Sequence, residues 1–180
     1  PSGQKNSYGG VHKRRKLFCS GPRDSEITAT ISAWVKIEAA TSGVFVKIGS
    51  GAFNGFGIGV GKASGSDLWD TNGVYLSALY EGVRWIPTGQ TLTLGKWHHI
   101  ALEVAGSLPA VYFDGVLLDT YSGGGPNVPA AQVLIGGYTE TVTALNRYTA
   151  CQIGDVRVYN QILSSNEILN LYVDPWALYK

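Results

Sequence analysis

Residues 27–38 read Ile-Thr-Ala-Thr-Ile-Ser-Ala-Trp-Val-Lys-Ile-Glu. Ile27, Ala29, Ile31, Ala33, Val35 and Ile37 take every second position, and Thr28, Thr30, Ser32, Trp34, Lys36 and Glu38 fill the gaps. Successive side chains of a strand point to opposite faces, so this period of two predicts a β-strand with one apolar face. Further short runs follow it. Gly43–Ser50 and Gly55–Gly61 flank a turn at Gly51–Asn54, and Gly73–Tyr80 and Gly82–Pro87 meet around Glu81-Gly82. Trp97–Ala105 is a long strand, and Gln132–Gly136 and Ala150–Tyr159 complete the set. Ala110–Phe113 and Val116–Tyr121 flank Asp114-Gly115, a dipeptide that favours the type I′ hairpin turn. About ten to twelve short strands at this spacing predict an all-β antiparallel sandwich or barrel. One helix is predicted: Ser164 precedes Glu167 by three residues, the spacing of a capping box, and Ile168, Leu169, Leu171 and Tyr172 follow. Asp174-Pro175 ends it.

The composition agrees. The 180 residues suit one domain, and charged residues make up 15% of them, with 24 glycines, ten tyrosines and five tryptophans. No apolar run approaches the roughly 18 residues of a membrane span, so no membrane insertion is expected. The N-terminus has no apolar signal-peptide core, so secretion by the usual route implies prior removal of a signal. Residues 1–16 carry Lys5, Lys13, Arg14, Arg15 and Lys16 with no acid, whereas residues 17–180 carry nine Lys/Arg against thirteen Asp/Glu. The chain therefore divides into a basic arm, residues 1–16, and a mildly acidic body, residues 17–180. The cluster Lys13, Arg14, Arg15 and Lys16 is a candidate anchor for an acidic protein surface, a capsid or an acidic glycan, with nucleic acid less expected; a solvated terminus is the alternative. Cys19 and Cys151 permit one disulfide or two free thiols.

Five segments together resemble the laminin G-like domains of the concanavalin A-like lectin/glucanase superfamily, in the small bacterial or phage type. They are Ile31-Ser32-Ala33-Trp34-Val35-Lys36, Gly95-Lys96-Trp97-His98-His99-Ile100-Ala101-Leu102, Val111-Tyr112-Phe113-Asp114-Gly115-Val116-Leu117, Val133-Leu134-Ile135-Gly136-Gly137, and the run Gln152–Asn160 leading into Leu163-Ser164 and Glu167-Ile168. The resemblance covers roughly residues 17–172. It implies a two-sheet antiparallel jelly-roll sandwich of about six strands per sheet, with the terminal strands side by side. It also implies a use in adhesion to glycans or surfaces, sometimes through calcium, or in decorating phage virions.

The chemistry points to binding rather than catalysis. A glycosidase needs two carboxylates flanking the scissile bond. The Glu-x-Asp-x-x-Glu pattern of the superfamily's glucan hydrolases is absent: Glu103 is the lone acid of its strand, and Asp155 has no acid two positions away. A glycoside hydrolase is thus a distant alternative. His98 and His99 face opposite sides of one strand and cannot chelate one ion together. Gly55–Gly61 lacks a dinucleotide-binding spacing and reads as a glycine-rich strand leaving room for a close neighbour. Asp67, Asp70 and Asn72 are the candidate metal ligands should a calcium ion bind. Sugar recognition calls for an aromatic face beside polar side chains. Trp34 and Trp97 sit in the shared motifs and read as core, Trp176 as an anchor of the tail, and Tyr138 and Arg147 bracket a polar loop, Thr139–Asn146. That leaves Trp69, Asp70, Tyr80 and Trp85 as the candidate glycan site, with sheet-edge capping or an oligomer contact as the packing alternative for both tryptophans. The expected function is non-catalytic recognition of a glycan or surface ligand, outside the cell or on a virion surface. A virion decoration protein held by residues 1–16 is the alternative.

Overall fold

Strand β1 (Thr28–Ile37) follows the alternation closely: Ala29, Ile31, Ala33, Val35 and Ile37 are all buried on one face. In the computed structural model the described residues are 27–49, 54–61, 72–80, 85–106, 108–120, 132–141, 144–146 and 148–176. After β1 come β2 (Gly43–Ile48), β3 (Phe56–Gly61), β4 (Tyr75–Leu79), β5 (Trp85–Thr91), β6 (His98–Ala105), β7 (Ala110–Phe113) and β8 (Val116–Thr120). β9 (Val133–Ile135), β10 (Tyr138–Thr141), β11 (Ala144–Asn146), β12 (Cys151–Tyr159) and helix α1 (Ser165–Val173) complete the chain order.

Two five-stranded antiparallel sheets face each other. The first has the order β12-β1-β6-β7-β8 and the second β5-β4-β3-β2-β9. The terminal strands are neighbours, with Thr30 opposite Tyr159 and Ile37 opposite Cys151. The core lies between the sheets. Ile31, Val35, Ile100 and Leu102 of the first meet Phe45, Ile48, Ile58 and Leu76 of the second in one apolar cluster. At roughly 25 cal/mol per Å² of apolar surface buried, this layer is the main stabilising term.

The first sheet also buries an apolar patch on its outer face. There Ala101, Ala110 and Tyr112 pack with Leu163, Ile168 and Leu171 in a second cluster that docks α1. The helix starts at a complete capping box: the Ser164 hydroxyl accepts from the Glu167 N–H, and the Glu167 carboxylate accepts from the Ser164 N–H at 2.7 Å. It ends at Asp174 before Pro175, as the sequence predicts. The β7–β8 turn has φ +49 at Asp114 and +79 at Gly115, both positive as a type I′ turn requires. A methyl group at Gly115 would stand 2.9 Å from Leu169 and 3.1 Å from Tyr172, so the helix also rests on this turn.

Three features differ from the sequence reading. Among the described residues each main sheet has five strands rather than about six, and within the segment read as a polar loop, Thr139–Asn146, β10 and β11 form a separate two-stranded ladder. Threonine and tyrosine in that ladder suit extended backbone more than their polarity suggests. β5 continues past Pro87 to Thr91; it is an edge strand, where a missing N–H costs no ladder bond. Trp97, read as core, is 40% exposed, because it precedes the first residue of β6 and lies at the margin of the sheet. Among the described residues, no helix is long and apolar enough to cross a membrane.

The glycines of β3 do make room for a neighbour. A Cβ at Gly59 would stand 3.1 Å from the Trp85 ring and 2.5 Å from the Gly43 carbonyl oxygen. At Gly154 of β12 it would meet the Trp97 ring at 3.9 Å, an ordinary contact. Gly59→Ala should therefore cost about 1–3 kcal/mol through displaced backbone, while Gly154→Ala should stay within about 0.5 kcal/mol of the parent. Urea melts of the two variants check this; equal costs would contradict the packing.

Candidate functional site

The outer faces of the two sheets are the surfaces on which the strands can display side chains, and they differ. On the second sheet, Lys47, Ser77 and Leu79 alternate with core residues and are nonetheless buried. Trp85 pairs with Leu79, lies over Gly59 and is 1% exposed. The Lys47 ammonium donates to the Asn54 carbonyl at 2.6 Å, and burial pushes its pKa down to about 8. Tyr80 shares its facing with Leu76 and Ala78 and belongs to the core, 3% exposed. Neither Trp85 nor Tyr80 offers an open ring face for a sugar; both serve packing instead. Trp69, Asp70 and Asp67 lie outside the described residues, as do Lys13, Arg14, Arg15, Lys16, Cys19 and the boundary at residue 16. Asn72 is exposed, and its side-chain oxygen accepts from Ser42 at 3.2 Å. Among the described residues, no three His, Cys, Asp or Glu side chains converge as metal ligands would.

The first sheet's outer face is built by β12, β1, β6 and β7 together. Register places Thr30 beside Glu103, Ser32 beside Ala101 and Trp34 beside His99. On the other edge Gly154 faces Trp34, and Arg157 faces Ser32. Tyr172 of α1 stacks on Trp34 at 5.6 Å and lies 6.4 Å from His99. Four polar atoms of this face, Ser32 Oγ, Trp34 Nε1, His99 Nδ1 and Glu103 Oε1, are buried without a hydrogen-bond partner. Tyr112 Oη donates to Glu103 Oε2 at 3.4 Å and shares a hydrogen bond with Ser165 Oγ at 3.2 Å. Asp155 takes the left-handed conformation, φ +46, beside the irregularity opposite Ala33, and pairs with the Arg157 guanidinium at 2.7 Å.

The two histidines do point to opposite faces. His98 faces inward: its Nε2 accepts from the Thr93 N–H at 3.1 Å, so Nδ1 carries the proton it donates to Asp114 Oδ2 at 2.9 Å. The other Asp114 oxygen accepts from the His99 N–H at 2.9 Å. One turn carboxylate thus ties both residues to the β7–β8 hairpin. Cys151 is a half-buried free thiol, and burial pushes its pKa up to about 11, which suppresses the thiolate.

At one end of this outer face the surface is open. The Trp97 indole lies against Gly154, with the Lys36 ammonium 5.9 Å from its ring centre. Lys36 pairs with Glu38 at 2.8 Å, and Gln152, its cross-strand neighbour, is exposed. An accessible indole thus stands among an ammonium, a carboxylate and a carboxamide. The period-two pattern could have placed Lys36 here; it said nothing of Trp97, which lies just outside its strand. Trp176, read as pinning the tail, is 64% exposed, and a hydrogen bond from the Arg157 guanidinium to the Pro175 carbonyl holds the tail there.

Burial under the helix drives two groups toward their neutral forms. It lowers His99 to about 4, with Asp114 and Asp155 opposing and Arg157 adding to the effect, and it raises Glu103 to about 7, against the Tyr112 hydrogen bond. The folded Glu103 value lies above its ordinary 4.5, so its contribution to stability is lost as pH rises from about 4.5 to about 7. The folded His99 value lies below its ordinary 6.5, so its contribution is gained as pH rises from about 4 to 6.5. The two slopes oppose each other. Relative to the parent, Glu103→Gln should make stability rise more steeply with pH across this window, and His99→Phe should make it fall. Urea midpoints from pH 4 to 7 check this, and variant curves parallel to the parent would refute it.

The fold matches known proteins. The family profile described as the concanavalin A-like lectin/glucanases superfamily, of laminin G type, matches residues 18–169. A comparison with curated proteins found no match. A heptameric SAP-like pentraxin from Limulus polyphemus superposes with a TM-score of 0.63 at 15% identity, over 82% of this chain and 70% of that one. A proposed carbohydrate-binding protein from Bacteroides ovatus superposes with a TM-score of 0.63 at 18% identity. The match covers 87% of this chain but only 44% of that one, so this chain spans less than half its length. Domain 4 of an extracellular GH43 arabinanase from Geobacillus stearothermophilus, solved with arabinotriose, gives 0.53 at 21% identity, over 82% of this chain and 68% of the other. Identities this low bear on the fold alone. With most of its length matched by the family profile, the chain belongs to the laminin G-like family of the concanavalin A-like lectin/glucanase superfamily.

Proposed function

We propose that the chain is a non-catalytic recognition module, working outside the cell, that binds a glycan on the outer face of its first sheet at Trp97. The observation that carries the reading is the exposed indole beside Lys36, Glu38 and Gln152. An indole face suits the C–H surface of a sugar ring, and the three polar side chains supply donors and acceptors for hydroxyl groups. Gly154 supports the ring from the sheet side. Glu38, the acid at this place, is held by Lys36, an arrangement suited to orienting a hydroxyl rather than transferring a proton. The arabinotriose held by the arabinanase domain is consistent with a saccharide role on this architecture.

Trp69 and Asp70 remain the competing location from the sequence. A glycan array with the full chain, with Trp97→Ala and with Trp69→Ala separates them. Trp97→Ala should weaken every positive glycan at least about tenfold, equivalent to ~1.4 kcal/mol, and Trp69→Ala should leave them unchanged. The reverse result moves the site to the Trp69 segment. A full chain that binds no glycan overturns the reading altogether.

A further inference from the structure

Strand β12 forms an edge of the first sheet, and Trp97 lies against its residue Gly154. The pairing of β12 with β1 steps from Trp34–Gly154 to Ser32–Arg157, so Asp155 and Val156 share the one position opposite Ala33. Two residues facing one make a β-bulge, a device that bends a strand and re-aims a side chain, often beside a functional site. Val156 packs on the core. Asp155 takes the left-handed conformation, φ +46, which aspartate tolerates better than most side chains. Among the described residues Asp114 is the one other non-glycine residue with positive φ, and the β7–β8 turn requires it there. No hairpin turn requires it at Asp155. There the bulge brings the carboxylate to Arg157 on the outer face, one residue from the Gly154 that supports the Trp97 indole.

The Arg157 guanidinium donates to both Asp155 oxygens, through Nε at 2.9 Å and Nη2 at 2.7 Å, and it also donates to the Pro175 carbonyl. Trp176 follows Pro175 and is 64% exposed. One strand thus leads from an open indole at Gly154, past a partly exposed carboxylate, to a second exposed tryptophan whose neighbour is held by Arg157. Gly154 and Arg157 stand at most about 10 Å apart along an extended strand. Each Asp155 oxygen keeps a lone pair beyond its bond from Arg157 and can accept from a hydroxyl. The cations on this line stand beside acids, Lys36 by Glu38 and Arg157 by Asp155, so they offer a ligand no net charge. Two aromatic surfaces with hydrogen-bonding groups between them match successive rings of a sugar chain better than a single sugar. We propose that the saccharide site runs on from Trp97 across Asp155 to Trp176 and takes a neutral linear oligosaccharide, with Trp176 as a second stacking surface and Asp155 as the hydroxyl acceptor between the two.

The extension rests on saccharide binding at Trp97, and one experiment separates the two. Arabino-, xylo- and cello-oligosaccharides of two to six rings are titrated against the full-length chain by calorimetry. In the series that binds, the longest member should bind the parent at least about tenfold more tightly than the shortest, because the second contact is made within one complex at high effective concentration. Trp176→Ala should cut that ratio below about threefold, and Trp176→Phe, which keeps an aromatic face, should retain it. Asp155→Gly, which accepts the same backbone, should weaken the longest member at least about fivefold through loss of the acceptor. Trp97→Ala should weaken every length, and thermal melts show that each variant folds. A Trp176→Ala chain with the parent's length dependence, or an Asp155→Gly chain with the parent's affinity for the longest member, overturns the extension and leaves Trp97 in place. Binding of no series, or binding that Trp97→Ala leaves intact, overturns the Trp97 site and the extension with it.

Discussion

The antiparallel pairing of β12 with β1 is the contact on which the rest of the molecule depends. It joins residues more than a hundred positions apart, Thr30 with Tyr159 and Ile37 with Cys151. It makes β1 an interior strand, bonded to β6 on its other edge. It also delivers helix α1 to the outer face of the first sheet. Trp34 gains its stacking partner Tyr172, and Trp97 gains Gly154, only because the last strand returns to the first. Contacts so distant in sequence carry a loop-closure cost, which the apolar layers on both sides of the sheet must offset.

Covering that outer face has an electrostatic consequence. Glu103 and His99 sit where water is scarce, and each is driven toward its neutral form. Partnerless polar atoms of Ser32, Trp34, His99 and Glu103 share the layer, each at a cost of order 1–3 kcal/mol. An entirely apolar surface would hold the helix more cheaply. The polar residues instead tie α1 to the sheet at a defined place, through Tyr112 and Ser165 at one end and the Trp34–Tyr172 stack at the other.

The helix thereby divides the outer face into regions of different character. The Trp97 end is open, aromatic and mixed in charge, suited to a neutral polyhydroxylated ligand. The pocket flanked by Tyr159 and Leu171 is apolar beneath, with Glu167 and Asp174 on its lining. Both rest on β12, a strand fixed by its pairing with β1.

Much of the architecture was legible because it depends on local rules. The alternation of Ile27–Glu38 predicted β1 and its buried face, Asp114-Gly115 predicted a type I′ turn, and Ser164 with Glu167 predicted the capped start of α1. Each signal is contained within a few residues, where backbone sterics and one or two hydrogen bonds decide the outcome. Which side chains would be exposed was not decided there. Tyr80 and Trp85 looked available beside a turn, yet Tyr80 faces the core and Trp85 lies over Gly59, a residue of another strand. Trp97 looked buried within a shared motif, yet it stands open at the sheet margin. The sequence by itself determined most of the strands, the turn and the helix cap, and its resemblance to a known family implied the two-sheet class. Only the tertiary structure decided which aromatic rings meet solvent and which carboxyl group is driven toward its neutral form, because exposure and dielectric are set by neighbours that are remote along the chain.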